Sequence, residues 1–325
     1  MQHSRSATID HRLTPDFAVN FGRLPAIPLD DDAGEFGALT LRRLRKELAS
    51  AGPYRIAVGI TDGTLPIGLA LGECDEHGNA RLLSLCVAET HRRRGHGLSL
   101  LDAWQREAAR RGARRLVFSF MSDATGHGAL GTILQRAGWS APEPLILRVL
   151  GRAGVMADIV GRWPAVRDRL SPPSGFQFSP VEPDAADRRA IANLLADPAI
   201  GSMRGPLAYS GRLVPETSIL LRREGAVVGW VVALPAPRKF VRGRMPAVEY
   251  AEFFLEPSLW RSGLGIGAFH HCYRRQAEVF GHASPAYFQT HTGRPAMLAL
   301  CHRRFAPIAD RTEMVLASRR DIDPR

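Results

Sequence analysis

Two short glycine loops hold the residue types best suited to chemistry in this sequence. In the first, Val87 leads to Arg92-Arg93-Arg94-Gly95-His96-Gly97-Leu98. In the second, Leu255 leads to Trp260-Arg261-Ser262-Gly263-Leu264-Gly265-Ile266-Gly267. A strand that feeds a glycine turn and then a helix makes an anion site. The first helix amides have no intrahelical acceptor, the helix dipole is positive there, and glycine lets the backbone approach a phosphate closely. Spacing narrows the type. Dinucleotide folds need G-x-G-x-x-G with an acidic residue about 20 positions later, and P-loops need a lysine after the second glycine. Neither pattern occurs here. A loop of this kind can also do no more than turn a strand into a helix.

The elements that must position these loops repeat along the chain. Leu83–Val87 and Ala251–Leu255 read as strands entering the loops. Helical stretches follow at Leu98–Arg111, with apolar Leu98, Leu101, Trp104 and Ala108 at spacings of three and four, and at Ala268–Phe280. Gly95 and Gly263 are 168 residues apart, as are Val87 and Leu255. The next strands, Leu116–Phe120 and Ala286–Phe288, keep the offset within about two residues and precede helix candidates ending at Gly138-Trp139 and Arg304-Phe305. Upstream of each loop lies a hairpin, turning at Asp62-Gly63 and at Glu224-Gly225. Pro183 and Asp184 start a helix expected to run to Leu195. The chain is thus a tandem duplication, with one domain over residues 1–150, a linker over 151–175 and a second domain over 176–325.

Composition limits what these domains do. The 325 residues are 45% hydrophobic and 23% charged, enough apolar content to bury cores and too much for a disordered chain. No apolar run approaches the roughly 20 residues that span a bilayer, and the opening residues lack a secretory apolar core, so neither membrane nor export is expected. Net charge is +11, and only Lys46 and Lys239 are lysines among 43 basic residues. The arginines are scattered except for Arg92–Arg94, and no zinc-finger spacing or basic tail accompanies them, so nucleic acid is not an expected partner. Cys74, Cys86, Cys272 and Cys301 are too dispersed for a disulfide framework or a CxxC site, which suits a reducing cytoplasm. No metal is expected.

With these residues in view, the chain resembles the GNAT superfamily of acyl-CoA-dependent N-acetyltransferases, once per half. The resemblance rests on strand, [Q/R]-x-x-G-x-[G/A], helix, strand, helix and aromatic in that order. It implies an α/β fold with a mixed sheet: two tandem GNAT domains, each a mostly antiparallel twisted sheet flanked by helices, with a splayed central strand pair. It further implies that acetyl-CoA binds with its pyrophosphate on the loop amides and its pantetheine arm along the splayed strand. Residue by residue, Val87 and Arg92 to Leu98 (Arg92, Arg93, Arg94, Gly95, His96, Gly97, Leu98) would form one cofactor site. Leu255 and Arg261 to Gly267 (Arg261, Ser262, Gly263, Leu264, Gly265, Ile266, Gly267) would form the other. Trp260 departs from the pattern at the Gln/Arg position.

Acyl transfer to an amine needs a base, because an ammonium has no lone pair. The family commonly keeps a carboxylate six residues before the strand's terminal aliphatic. That position is Glu249 in the second half and Arg81 in the first, which puts the chemistry in the second half. Period-2 alternation places Glu249 on the face of Leu255 and leaves Glu252, a reserve candidate, on the opposite one. The family's tyrosine acid is replaced by Leu134 and Leu300. Cys301 stands beside the latter, as a candidate donor to the sulfur or as a buried structural thiol. His291 lies 168 residues after Asp123 and is a candidate base or relay, or a surface histidine.

Two functions follow from this reading. One is transfer of an acetyl group from acetyl-CoA to a primary amine, on a small molecule or a protein, by direct attack in a ternary complex. The other is a non-catalytic acyl-CoA-binding regulatory or scaffold module with decayed sites. Asp30–Ala51 and Asp197–Thr217 would shape the acceptor pocket. A monomer, as a pseudo-dimer, and a homodimer both fit.

Overall fold

In the computed structural model, which describes residues 24–29, 33–49, 52, 54–121, 127–167, 175–197, 203–236 and 246–322, both expected hairpins form. Gly63 adopts φ 59°, and at the second turn Glu224 and Gly225 adopt φ 50° and 85°. These left-handed values match the twist of the flanking strands. The chain separates into two compact units.

The first unit comprises Met1–Phe118, Gly128–Ala141 and Ser318–Arg325. Its strands are β1 (Ile27–Pro28), β2 (Arg55–Asp62), β3 (Leu65–Cys74), β4 (Asn79–Val87) and β5 (Arg115–Met121), in that order across the sheet. All neighbours are antiparallel except β4 and β5, which are parallel. Helices α1 (Arg45–Ala49), α2 (His96–Arg110) and α3 (His127–Arg136) complete it. Phe36, Leu48, Leu69 and Leu71 build one core cluster, and Trp104 on α2 is fully buried. Each such side chain contributes about 1.5–3 kcal/mol.

The second unit comprises Ser119–His127 and Pro142–Ala317. Its strands are β6 (Glu143–Arg152), β7 (Phe176–Pro180), β8 (Ile219–Arg223), β9 (Ala226–Pro235), β10 (Val248–Leu255), β11 (Pro285–His291) and β12 (Arg311–Asp321). They run in the order β12-β6-β11-β10-β9-β8-β7, with only β10 and β11 parallel. Helices α4 (Ala153–Gly161), α5 (Pro164–Arg167), α6 (Ala185–Leu195), α7 (Leu264–Phe280) and α8 (Pro295–Leu300) flank them. The two glycine-loop helices begin earlier than their apolar periodicity suggests, because the first turn of each is glycine-rich and carries no strong apolar stripe.

These units are cut differently from the sequence repeats. The strand closing the first repeat, β6, pairs with β11 of the second unit, whereas the last residues of the second repeat, from Ser318, belong to the first. The segment read as a linker is also folded: Ala153, Met156, Ala157, Val160 and Val166 are buried in the second unit's main core. Its small and apolar residues resemble a loosely amphipathic connector until the opposing helix is known, and α7 supplies that partner. Residues 168–174, with the Ser-Pro-Pro-Ser stretch, lie outside the described residues.

Candidate active site

The central parallel pair in each half stops short. In the second unit β10 and β11 keep three rungs, ending at Tyr250↔Phe288, although β10 continues to Leu255 and β11 to His291. In the first unit β4 and β5 keep four rungs, ending at Leu82↔Phe118, while β4 continues to Val87. Leu82 and Tyr250 are 168 residues apart. Just past each last rung the strand bulges on its antiparallel side, skipping Leu83 in β4 and Ala251 in β10, again one repeat apart. A bulge bends a strand away from its neighbour, so splay and bulge are one device. It leaves the backbone of Leu83–Val87 and of Ala251–Leu255 beyond the last parallel rung, where an extended ligand can pair with it.

Both helices after these strands start on a left-handed glycine, Gly95 at φ 83° and Gly263 at φ 81°. Glycine carries no steric penalty there. A Cβ on Gly265 would lie 2.9 Å from the Phe253 ring, so the second helix also needs glycine to approach its strand. The loops differ in what they offer an anion. In the first, Arg92, Arg93 and Arg94 are exposed, and Arg93 adopts φ 64°. In the second, the Ser262 hydroxyl accepts from the Leu264 N–H at 3.2 Å, engaging the first helical amide itself. His96, at the start of α2, is 3% exposed, and Gly97 and Leu98 are partly exposed. Leu264 is buried, and Ile266 and Gly267 are partly exposed.

The candidate acid–base residues separate clearly. Cross-strand partners place Glu249 opposite Leu234, Glu252 opposite Val232 and Phe254 opposite Trp230, so these three share one face. Leu255 pairs with Gly229 and lies on the other, with Tyr250 and Phe253. The expectation from alternation that Glu249 shares the face of Leu255 therefore fails, whereas Glu252 does oppose Leu255 and shares its face with Glu249. The bulge at Ala251 inserts one residue and resets the parity.

Glu252 is engaged on all sides. Its carboxylate accepts from the backbone N–H groups of Arg204 (3.0 Å) and Gly205 (2.8 Å), the Trp230 indole N–H (2.9 Å) and the Tyr209 hydroxyl (3.5 Å). Burial and the adjacent Glu252 carboxylate raise the Tyr209 hydroxyl above its ordinary value. Glu252 thus fastens segment 203–209 to the bulged strand. Glu252→Ala leaves the fully buried Trp230 with an unpaired N–H and should cost about 2–3 kcal/mol. Thermal unfolding measures it, and an unchanged midpoint would remove the anchoring role.

Glu249 is half-buried at the middle rung of the parallel pair, opposite Tyr287. Burial pushes the Tyr287 hydroxyl up to about 12, with the Glu249 charge adding to the shift. That hydroxyl donates to Gln289 Oε1 at 2.7 Å, and Arg148 Nε donates to the same oxygen at 3.3 Å. Tyr287 and Arg148 were not among the candidates. A charged residue inside the apolar run Leu145–Leu150 is the sequence signal that marks Arg148.

His291 ends β11, exposed, with Nδ1 accepting from the Gly293 N–H at 3.0 Å. That contact ties the imidazole into its own turn. Its counterpart Asp123 lies outside the described residues. Cys301 is fully buried in the main core, and burial pushes its thiol up to about 11. Leu134 is fully buried as well. Among the described residues no group of three or more His, Cys, Asp or Glu could hold a metal, and no helix is long and apolar enough to cross a membrane.

Residues 25–133 match the model of the Acetyltransferase (GNAT) family. Among solved structures, a tandem GNAT protein from the clavulanic acid biosynthesis pathway is similar at a TM-score of 0.58 and 13% identity, over 93% of this chain and 100% of that one. A GCN5-related N-acetyltransferase from Sphaerobacter thermophilus gives 0.56 and 14%, over 96% and 98%. A GCN5-related glucosamine N-acetyltransferase region of a fungal multi-domain GH3 β-N-acetylglucosaminidase gives 0.58 and 12%, over 92% of this chain and 38% of that one. No curated protein matches the sequence.

Proposed function

We propose, on the premise that this chain has the tandem GNAT fold, that it transfers an acetyl group from acetyl-CoA to a primary amine, with the chemistry in the second half. One observation carries the choice of half. At equivalent positions before the strands part, the second half has Glu249 and the first has Arg81, which is hydrogen-bonded and ion-paired to Glu73. A guanidinium cannot take a proton from an amine; a carboxylate can.

Acetyl-CoA supplies an activated thioester carbonyl. The chain's part is to bind it, orient it and move protons. The backbone of Ala251–Leu255, beyond the last parallel rung, would pair with the pantetheine arm, and the amides opening α7 would hold the pyrophosphate. In the first unit Leu83–Val87, Arg92–Arg94 and the start of α2 would hold a second molecule. Glu249 takes the amine proton, directly or through a water. The nitrogen would then attack the carbonyl carbon, the C–S bond break, and the departing thiolate take up the surplus proton of the nitrogen to leave as CoA. Glu252, its carboxylate occupied by four donors, positions segment 203–209 rather than serving as base. The free cysteines suit a reducing cytoplasm.

A second reading, a non-catalytic acyl-CoA-binding module, draws on Leu134 and Leu300 standing where an acid would, with the neighbouring Cys301 buried in the core. The test is acetyl-CoA with a panel of small and peptidyl primary amines, following CoA release with a thiol reagent and the acetylated product by mass spectrometry. Turnover supports the enzyme. Saturable binding without turnover supports the module, and absence of both rejects the two together.

A further inference from the structure

Trp260 is the most exposed of the large hydrophobic side chains among the described residues, at 70%. A single exposed apolar side chain is ordinary in itself; what singles out this indole is the position it holds in the repeat. The repeat supplies a comparison. In the first loop Arg92 Nε donates to the carbonyl of Val87 at 3.1 Å. In the second, one repeat later, Trp260 Nε1 donates to the carbonyl of Leu255 at 2.7 Å. The two side chains make the same hydrogen bond to the same strand-end carbonyl. What differs is the remainder of the side chain. Arg92 presents the rest of a guanidinium, flanked by Arg93 and Arg94, whereas Trp260 presents a bare aromatic face, flanked by the exposed Arg261.

We infer that Trp260 is a stacking platform for the adenine ring of a CoA nucleotide at the second loop. There it replaces by aromatic contact what the first loop does by charge. The inference rests on the cofactor reading proposed above. Its physical content is preorganisation: the indole N–H is already bonded, so the ring is held relative to the strand end before any ligand arrives. A π-face next to a lone cation matches a purine attached to phosphate. The two sites should then differ in their response to salt, the Arg92–Arg94 site weakening steeply and the Trp260 site, with a larger stacking share, being the more salt-resistant, because screening acts on charges and not on stacking.

The experiment titrates the full chain with CoA and, separately, with 4′-phosphopantetheine, which lacks the adenine nucleotide. Tryptophan fluorescence and calorimetry are read at 0.05 M and 0.5 M salt. Trp104, Trp139 and Trp230 are buried and Trp163 is partly so, leaving Trp260 as the reporter open to solvent. The expected result is quenching by CoA but not by 4′-phosphopantetheine. Trp260→Leu should weaken the salt-resistant CoA site about tenfold without altering 4′-phosphopantetheine binding. Trp260→Arg should convert that site to a salt-sensitive one. Equal weakening of both ligands by Trp260→Leu would mean loop disruption and overturn the platform. A second CoA site that Gly263→Val abolishes but Trp260→Leu leaves intact would also overturn it, while the cofactor reading stands. If CoA binds nowhere, the cofactor reading itself fails.

Discussion

Glu249→Gln should lower the proposed acetyl-CoA-dependent acetylation of amines about 10²–10³-fold, with acetyl-CoA affinity and thermal stability close to those of the unaltered chain. The amide keeps the shape of the carboxyl and its capacity to accept hydrogen bonds, but it cannot carry a proton away from nitrogen. The effect should fall on kcat more than on binding, because the proposed cofactor contacts lie on the backbone past Ala251 and at the start of α7, not on this side chain. It should also shrink as pH rises, since an acceptor that is already neutral needs less help from a base. Glu249 stands opposite Tyr287, whose hydroxyl is held neutral by burial across the physiological range. Steady-state kinetics over pH 6–10, with the binding constant taken separately by calorimetry, decides the matter. A rate within twofold of the unaltered chain would end the base assignment and return attention to the first half.

The second large effect is on stability. Asp187→Ala should cost about 3–5 kcal/mol, lowering the unfolding midpoint by on the order of 10 °C. Asp187 is 5% exposed and does two jobs. In the capping box of α6 it exchanges hydrogen bonds with Asp184: Asp187 N–H to Asp184 Oδ1 at 2.8 Å, and Asp184 N–H to Asp187 Oδ2 at 3.2 Å. Its two oxygens also accept from Arg222 on β8 at 2.5 and 2.7 Å, while Arg222 Nε reaches the Ser179 hydroxyl on β7. Removing the carboxylate strands a guanidinium that is 17% exposed. The Arg222 hydrogen bonds and charge hold the Asp187 carboxyl below its ordinary value. A depressed folded pKa means the unfolded state binds the proton more readily, so this stabilisation is complete above the ordinary aspartate range. It is lost as pH falls through the lower folded value. Asp187→Asn should therefore flatten the acid limb of the stability profile as well as lower the plateau. An acid limb as steep in the variant as in the unaltered chain would place the linkage elsewhere.

Much of this arrangement is written in local sequence. The Asp-Gly and Glu-Gly turns, the Pro183-Asp184 start of α6 and the glycines that open α2 and α7 act through φ values and capping, which few neighbouring residues decide. The 168-residue repeat carried the rest of the fold, because equal spacing of strand, loop and helix has one economical explanation. The faces of the strands were less legible. A bulge announces itself weakly in sequence, and the one at Ala251 moved Glu252 onto the face of Glu249 and carried Leu255 to the other. Glu252 became an anchor only through Trp230, Arg204, Gly205 and Tyr209, contributed by strand β9 and a distant loop.

By itself, then, the sequence determined that there are two repeats, where their glycine loops stand, and that Glu249 in the second has Arg81 as its counterpart in the first. Those facts depend on residue identity and spacing along one chain. The tertiary structure alone decided which faces the two glutamates share, that β6 completes the second unit, that Ala153, Met156, Ala157 and Val160 are core, and that Trp260 repeats the hydrogen bond of Arg92. Each of these depends on strand register and on partners far apart in sequence, where a one-residue slip exchanges the inside of a sheet for its outside.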